Sequence, residues 1–224
     1  MILKAENLSR RYFRRTGQAN VFYAVRDVSL ELCPGRVTVL MGRSGSGKTT
    51  LLHLLSGLLT PTEGRVTLDG QDLYAMNDDA LSRLRNRNIG VVPQGRSAVD
   101  SLTVIENILL PIQLYGGKGG AAEAERWMEA LGIGHLRDAR PAELSGGELR
   151  RMAIARALTQ GAEILLADEP TGDLDDENTR RVLEVFRDAA RQDGKAVFLV
   201  SHDGEAARYA DALYRMDGGM LAEN

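Results

Sequence analysis

The feature that most constrains the fold is a glycine-rich stretch, residues 42–50, which reads Gly-Arg-Ser-Gly-Ser-Gly-Lys-Thr-Thr. An apolar, β-branched run at residues 37–41 leads into it, and leucines at helical spacing follow it as far as Leu59. This setting of strand, turn and helix N-terminus favours a phosphate-binding loop, because glycines let backbone N–H groups approach phosphate oxygens. The alternative is a glycine-rich turn with an incidental Lys-Thr pair, which accounts less well for the flanking strand and helix.

Two side chains of this phosphate loop carry specific chemistry. Lys48 would place a positive charge at the β- and γ-phosphates of a nucleotide, and the Thr49 hydroxyl would bind Mg²⁺. The residues that we predict to contact the nucleotide are Gly42, Arg43, Ser44, Gly45, Ser46, Gly47, Lys48, Thr49 and Thr50.

Length and charge limit the class of protein. A chain of 224 residues is long enough for one α/β domain with a full core. The net charge of −3 gives no electrostatic argument for nucleic-acid or anionic-membrane binding as a primary role. The single Cys33 excludes an internal disulfide and fits a reducing compartment, and no apolar run reaches the length of a membrane span. We therefore expect a cytoplasmic protein, or one on the cytoplasmic side of a membrane.

The order of strand and helix patterns predicts an α/β fold with a helical insertion. The N-terminal part reads mainly as short strands, and the apolar runs at residues 163–167 and 196–200 are typical of buried strands. From about residue 95 to residue 151 the pattern is helical, with helices predicted over residues 104–115 and 121–131.

Polar side chains follow the two buried strands where each strand ends. Asp168 and Glu169 come directly after one strand, and His202 follows the other. Two acids at the end of a buried strand are costly unless they meet a cation or water. Asp168 is therefore predicted to hold Mg²⁺ and Glu169 to polarise an attacking water. His202 follows the same kind of strand, which suggests a catalytic role, although a lone histidine there is usually a hydrogen-bonded surface residue.

Two further positions allow a functional and a structural interpretation. Ser145 is a good helix N-cap, and Gly146 and Gly147 would expose N–H groups as a second anion site. Taken alone, a capped helix start with glycines for packing is the better interpretation. Tyr12 lies in a basic run, residues 10–15, between strands predicted over 2–8 and 23–32. In the functional interpretation, the Tyr12 ring stacks on a purine. In the structural interpretation, the basic run is only a solvated edge of the sheet.

The order and spacing of these residues resemble the ATP-binding cassette (ABC) ATPase family over essentially the whole chain. The matches are Gly42–Thr49 to the Walker A motif, Gln94 to the Q-loop, Leu144–Glu148 to the family signature, Ile164–Asp168 with Glu169 to Walker B and the catalytic glutamate, Leu174-Asp175 to the D-loop, and His202 to the H-loop. Walker A alone indicates only a nucleotide-binding protein, whereas the whole set in this order is highly specific.

The resemblance implies a fold and a domain organisation. The expected fold is α/β: a P-loop NTPase (RecA-like) core with a mostly parallel sheet, an N-terminal antiparallel β subdomain and a helical subdomain insertion. The chain would form a single ABC ATPase domain, residues 1–224. Residues 1–94 and 152–224 would form the nucleotide-binding core with the β subdomain, and residues 95–151 the helical signature subdomain.

The resemblance also implies a mechanism. Two cassettes, as a homodimer or with a related cassette, would sandwich two ATP–Mg²⁺ head to tail, with Ser145, Gly146, Gly147 and Glu148 serving the other subunit's nucleotide. Hydrolysis would then open the sandwich. The residues with implied roles are Tyr12 as adenine stacker, Asp175 as a nucleotide contact, Thr49, Gln94 and Asp168 as Mg²⁺ ligands, and Glu169, His202, Gln94 and Lys48 as catalytic residues.

One residue departs from the family pattern. The signature usually ends in Gln, and this chain has Glu148. A carboxylate in the first turn suits the helix dipole, so the helix should tolerate it. It also adds negative charge near a polyphosphate, which would weaken closure of the sandwich.

A softer resemblance concerns the subfamily. The segment Pro170–Asp175, the Leu110-Pro111 pair and the overall length look like the branch that serves macrolide export, lipoprotein release and antimicrobial-peptide resistance with FtsX-type membrane subunits. We therefore predict an ATPase that powers a separate permease from the cytoplasmic face of the membrane, with residues 95–103 in the docking groove.

The alternatives are a soluble ABC ATPase, for example in iron–sulfur cluster assembly, and a non-catalytic nucleotide-binding regulator. Glu169 and His202 argue against the regulator.

Overall fold

The computed structural model describes residues 1–14, 20–116 and 119–223. Arg15 of the basic run and Gly117 and Lys118 of the predicted insertion lie outside the described residues. The strands are β1 (Leu3–Arg14), β2 (Asn20–Leu32), β3 (Val37–Met41), β4 (Glu63–Leu68), β5 (Gln71–Asp72), β6 (Ile89–Val92), β7 (Ile164–Asp168), β8 (Ala196–Ser201), β9 (Ala212–Asp217) and β10 (Met220–Glu223). The helices are α1 (Lys48–Leu55), α2 (Asp78–Asn88), α3 (Val104–Tyr115), α4 (Ala121–Ala130), α5 (Gly146–Thr159), α6 (Asp176–Arg191) and α7 (Gly204–Ala207).

The strands of the described residues form two sheets. An antiparallel sheet has the order β2-β1-β4-β5, and a larger sheet has the order β10-β9-β3-β8-β7-β6. In the larger sheet β9, β3, β8, β7 and β6 are parallel, and β10 runs antiparallel to β9. The predicted α/β fold with a mostly parallel sheet and an N-terminal antiparallel sheet is therefore confirmed.

The parallel strands are buried on both faces, which explains their continuous apolar sequence. Along β7, Leu165 packs into one hydrophobic core with α3, α4, α5 and α6, while Leu166 packs into a second core with α1 and the antiparallel sheet. The carboxyl ends of β3, β6, β7 and β8 meet at one edge of this sheet. In open α/β sheets that edge is where ligands bind.

A buried amide fixes the loop before α3 to that helix. The predicted helix over residues 104–115 matches α3, which begins with a capping box between Thr103 and Glu106. Asn107 is fully buried; its Oδ1 accepts from the Val99 N–H (2.8 Å), and its Nδ2 donates to the Val99 and Leu102 carbonyls (3.1 Å each). This amide holds the chain that follows Gln94. The division of the chain at residues 95 and 151 stays a prediction.

Strand β1 and helix α1 differ most in length from the sequence prediction. Strand β1 continues past Leu8 through the basic run to Arg14, because it pairs with β2 along its whole length and register shifts interrupt the alternation. Helix α1 ends at Leu55 although the leucine pattern continues. The Tyr74 hydroxyl lies within hydrogen-bond distance of the carbonyl oxygens of Leu54 (2.5 Å) and Leu59 (2.6 Å), and its burial raises its pKa.

Among the described residues, no helix combines the length and the apolar character that a membrane span requires.

Candidate active site

A cavity of about 760 Å³ opens at the carboxyl ends of the parallel strands. The residues that line it are Tyr12, Phe22, Tyr23, Ala24, Ser44, Gly45, Ser46, Gly47, Lys48, Thr49, Thr50, Gln94, Asp168, Glu169, His202, Gly218 and Gly219. The cavity thus brings together residues from the phosphate loop, the ends of β6, β7 and β8, and the antiparallel sheet.

The phosphate loop curls around its own lysine. Lys48 is buried, and its Nζ donates to the carbonyl oxygens of Gly42 (2.7 Å) and Arg43 (3.1 Å). Gly47 is the N-cap of α1 with a φ of 108°, and no side chain caps that end of the helix. The first N–H groups of α1 therefore lack a side-chain acceptor, which suits an anion in the cavity.

Distant parts of the chain brace this loop. The Gly219 N–H donates to the Ser46 carbonyl (3.0 Å), and the Gly219 carbonyl accepts from the Arg26 N–H (2.8 Å). A Cβ at Gly42 would overlap the Met216 carbonyl, and a Cβ at Gly47 would overlap the Ala24 carbonyl. The glycines thus permit close backbone contact with β2 and with β9. The sequence prediction missed these braces, since nothing local pairs residue 46 with residue 219.

Two buried polar atoms beside the loop have no hydrogen-bond partner in the part of the chain that is described. They are Ser46 Oγ and Asp168 Oδ1. Asp168 is only 2% exposed at the end of β7, so its carboxylate is stable only with a cation or water. Thr49 and Gln94 line the same cavity. One carboxylate with neutral oxygens and nucleotide phosphates is the donor set that Mg²⁺ takes in such sites, so these residues fit the ion.

Glu169 and His202 are in direct contact. The His202 Nδ1 lies 2.8 Å from Glu169 Oε2, and the His202 N–H donates to the same oxygen (3.3 Å). The Glu169 side chain is 11% exposed and that of His202 is 71% exposed, so the ring stays open to the cavity. Glu169 also has a φ of 50°, a left-handed conformation that is unusual for glutamate, and its N–H donates to the Val200 carbonyl (2.9 Å). Backbone and histidine together fix where this carboxylate points.

The antiparallel sheet contributes an aromatic pair. The rings of Tyr12 and Phe22 stack at 5.6 Å between centroids with 25° between their planes, and the Arg10 guanidinium lies 4.9 Å from the Tyr12 centroid. Both rings line the cavity, so it offers aromatic surface suited to a flat base. Phe22 was missed from the sequence, because only the pairing of β1 with β2 brings it opposite Tyr12.

The predicted signature residues Ser145–Glu148, here called the signature segment, lie elsewhere. Ser145 is the N-cap of α5, and Glu148 Oε2 accepts from both the Ser145 N–H and the Ser145 hydroxyl (2.7 Å each). These hydrogen bonds lower the pKa of the Glu148 carboxyl. The spacing Ser-x-x-Glu is the sequence signal of such a capping box.

Asp175 caps the next helix near the signature segment. Its Oδ1 and Oδ2 accept from the Asn178 N–H and Nδ2 (2.8 Å each), and these bonds lower its pKa. A Cβ at Gly147 would lie 3.0 Å from Leu174 Cδ2, so the predicted D-loop packs on the start of α5. Among the residues that line the cavity, neither the signature segment nor Asp175 occurs.

Comparison with known proteins identifies relatives over nearly the whole chain. The ABC transporter family pattern matches residues 25–172. The chain is 37% identical over 224 residues to the macrolide export ATP-binding/permease protein MacB of Syntrophobacter fumaroxidans, covering 98% of this chain and 31% of MacB. It is 38% identical over 226 residues to the lipoprotein-releasing system ATP-binding protein LolD of Pseudomonas syringae pv. tomato, covering 99% of this chain and 97% of LolD. The chain thus spans about a third of MacB and almost all of LolD.

Solved structures share the fold. The dimeric structure of the bacterial ABC transporter cassette MJ0796 matches with a TM-score of 0.90 and 31% identity, covering 99% of this chain and 98% of the cassette. A dimeric post-hydrolysis state of MJ0796 bound to ADP and Pi matches with a TM-score of 0.89, 31% identity and the same coverage.

Proposed function

The chain belongs to the ABC transporter family and is an ATPase, and we propose that it is the ATP-hydrolysing subunit of a transporter that powers a separate membrane permease of the FtsX type. The observation that supports the proposal most strongly is that the predicted nucleotide-contacting residues lie in two separate places. The phosphate loop, Asp168, Glu169 and His202 surround one cavity, whereas the signature segment lies outside it. A second cassette is then needed to bring a signature segment to the nucleotide.

The cavity provides a role for each of its own residues. The N–H groups at the start of α1 and the Lys48 ammonium bind the phosphates, and Tyr12 with Phe22 stacks against the base. Thr49, Gln94 and Asp168 would hold Mg²⁺, which neutralises phosphate charge when bound. Glu169 orients the attacking water and accepts its proton.

His202 moves between two partners in this scheme. It contacts Glu169 in the structure, and with ATP present its exposed ring would turn to the γ-phosphate and release the Glu169 carboxylate for the water. The ATP-bound protein would be a dimer with two nucleotides, each between one chain's phosphate loop and the other chain's signature segment. The dimeric MJ0796 cassette supports the formation of a dimer.

The substitution Glu169→Gln tests the assignment of the base. We expect steady-state phosphate release to fall about 10²- to 10⁴-fold, the range for loss of a general base. ATP should then trap a dimer that size-exclusion chromatography with light scattering detects. Glu184→Gln, on the exposed side of α6, is the matched control. Undiminished turnover of Glu169→Gln would refute the role of Glu169, and a chain that stays monomeric would refute the sandwich.

A groove between α2, β6, α3 and α5 supports the proposed permease partner. Its volume is about 370 Å³, and exposed apolar side chains line it, among them Leu58 (54% exposed), Leu114 (63%) and Tyr115 (59%). A contiguous exposed apolar surface of this kind favours binding of another protein. We assign it to a cytoplasmic helix of the permease, and the MacB relative, an ATP-binding/permease protein, supports that choice.

Two arginines give the groove a charge preference. Within the described residues, neither Arg85 nor Arg156 has a carboxylate within ion-pair distance. Arg85 donates to the Gly57 carbonyl (2.9 Å), and Arg156 donates to the Ser97 carbonyl (2.7 Å), which ties the predicted docking segment 95–103 to the groove. The permease helix should therefore carry an acidic side chain on its apolar face.

Membrane retention of the tagged chain in its own cells tests this partner. Leu114→Arg should lower the fraction recovered with membranes about 10-fold, since one buried leucine contact and a new charge change the binding free energy by more than about 1.4 kcal/mol. Met220→Arg, an equally apolar residue that is 52% exposed on β10, should leave retention unchanged. Retention that survives Leu114→Arg would contradict the docking site. Co-purification with soluble proteins only would favour iron–sulfur cluster assembly instead.

A further inference from the structure

Arg151 is a buried cation that the proposed mechanism does not use. It lies on α5, is only 9% exposed, and donates from Nη1 to the Asn178 Oδ1 on α6. Its Nε has no partner in the described part of the chain. Burial of a guanidinium costs free energy of folding. A buried arginine at this position therefore indicates that its contact to Asn178 has a role.

Asn178 is also hydrogen-bonded to Asp175 of the D-loop. Its side-chain Nδ2 donates to Asp175 Oδ2, and its backbone N–H donates to Asp175 Oδ1, both at 2.8 Å. Arg151, Asn178 and Asp175 therefore form a continuous hydrogen-bonded bridge. The bridge joins the body of α5 to the first residue before α6.

The two ends of this bridge lie beside the two segments that a partner cassette would contact. Helix α5 begins directly after Ser145, and Gly147 packs against Leu174. On the other side, only residues 170–174 separate Asp175 from Glu169. That connection is a hydrogen-bonded turn. The Gly172 N–H donates to the Glu169 carbonyl (3.2 Å), and Asp173 has a φ of 65°. A shift of Asp175 would therefore be passed to Glu169.

We propose that Arg151 and Asn178 are positioning residues that make the signature segment and the D-loop one rigid unit. Closure of Ser145 over the partner's ATP then sets the position of this chain's own Glu169. Hydrolysis at one site thereby depends on ATP at the other, which is a coupling between two sites. The inference rests on the proposed dimer, because a single chain has no second site to couple.

Asn178→Ala tests the bridge, and its melting temperature is measured beside its activity because the variant leaves the buried Arg151 guanidinium without this partner. Asn178 is partly exposed, and the backbone N–H that caps α6 remains in the variant. We expect kcat to fall about 10-fold, within the 5- to 150-fold range of typical coupling. The half-saturating ATP concentration should change less than about 3-fold, since no residue of the cavity is altered. The Hill coefficient for ATP should fall from above 1 in the wild type to 1, its value for independent sites.

A conservative variant and a matched control separate positioning from general stability. Arg151→Lys keeps a cationic donor on the side of α5 that faces Asn178, and it should retain more activity and cooperativity than Arg151→Gln. Arg181→Ala removes an exposed contact to Glu177 (3.4 Å) on the same helix and should leave kcat and the Hill coefficient unchanged.

The outcomes distinguish this inference from the proposed function. An Asn178→Ala protein with wild-type kcat and Hill coefficient overturns the bridge alone, provided that Glu169→Gln still dimerises with ATP. So does a variant whose melting temperature and kcat fall while its Hill coefficient is unchanged, because that result indicates a merely structural role. If Glu169→Gln stays monomeric, the coupling is refuted together with the sandwich. A wild-type Hill coefficient of 1 in a protein that still dimerises refutes the coupling alone.

Discussion

The phosphate loop and the signature segment are both glycine-containing starts of helices, yet they are built differently. At the phosphate loop no side chain caps α1, and the loop is packed against β2 and the β9–β10 turn around the buried Lys48. At the signature segment Ser145 and Glu148 cap α5 reciprocally, and Ser145 is exposed. One helix start leaves its N–H groups for a ligand in the same chain. The other satisfies the Glu148 N–H with its own Ser145 hydroxyl and leaves those of Gly146 and Gly147 for a partner's nucleotide.

The difference relates to when each segment meets its anion. A helix end that lines its own chain's cavity can use the bound ligand as its cap. Until the ligand binds, packing of the surrounding structure offsets the free-energy cost of the uncapped N–H groups. A segment that waits for a partner's nucleotide must be stable alone, and a capping box supplies that stability. If this is correct, the same glycine-to-alanine change should have opposite effects in the two places.

Gly47→Ala should have the largest effect. A Cβ there would overlap the Ala24 carbonyl, and φ is +108°, so strain and overpacking together cost about 3 kcal/mol or more. We expect loss of ATP binding in calorimetry and a clearly lower melting temperature. Normal ATP affinity in this variant would show that the loop does not need its close contact with β2.

Gly146→Ala should affect only the dimer. A Cβ at Gly146 would meet no atom within 4 Å, and alanine in the first turn stabilises a helix by about 0.4–1 kcal/mol. Thermal unfolding should therefore shift slightly upward, with unchanged ATP affinity of the monomer. ATP-driven dimerisation in the Glu169→Gln background should weaken about 10-fold, equal to about 1.4 kcal/mol, because the methyl group would hold the partner's phosphate away. An unaffected dimer would remove the signature segment from the interface.

Glu148→Gln should have a smaller effect in the opposite direction. Removing the carboxylate charge near a polyphosphate should tighten ATP-driven dimerisation about 2- to 5-fold, a change of about 1 kcal/mol or less at a partly exposed site. Titration of ATP against dimer formation measures this, and the difference should shrink in high salt. Unchanged ATP affinity and turnover would refute the charge argument.

The smallest effect concerns acid stability. The hydrogen bonds from Ser145 lower the pKa of Glu148, so the capping box contributes fully above the ordinary carboxyl pKa and is lost as pH falls through the lowered value. Urea unfolding of wild type and Glu148→Gln should differ by about 0.5–1 kcal/mol near pH 6 and converge as the pH falls through the lowered pKa of Glu148. A difference that persists at low pH would mean that the ionised carboxylate is not the cap.

The sequence predicts local features of this molecule well. The pattern over residues 104–115 matches α3, and Ser145 marks the start of α5. These elements are set by hydrophobic spacing and by caps, which are signals of neighbouring residues. The glycines and acids at strand ends likewise indicated one edge of the sheet, and the cavity lies there.

Features that depend on distant contacts were not predictable. The Tyr74 hydroxyl contacts the carbonyls of Leu54 and Leu59 and so helps to end α1, and Phe22 reaches Tyr12 only through strand pairing. Arg151 reads as an ordinary helix residue until α6 is placed beside it. In each case the deciding partner is far away along the chain, where periodicity and propensity carry no information.

The brace between Ser46 and Gly219 has a consequence for biosynthesis. A ribosome completes the phosphate loop early, but the turn that holds it is translated roughly 10–30 s later at ordinary elongation rates. The phosphate loop can therefore reach the braced conformation of the structure only after translation has passed Gly219.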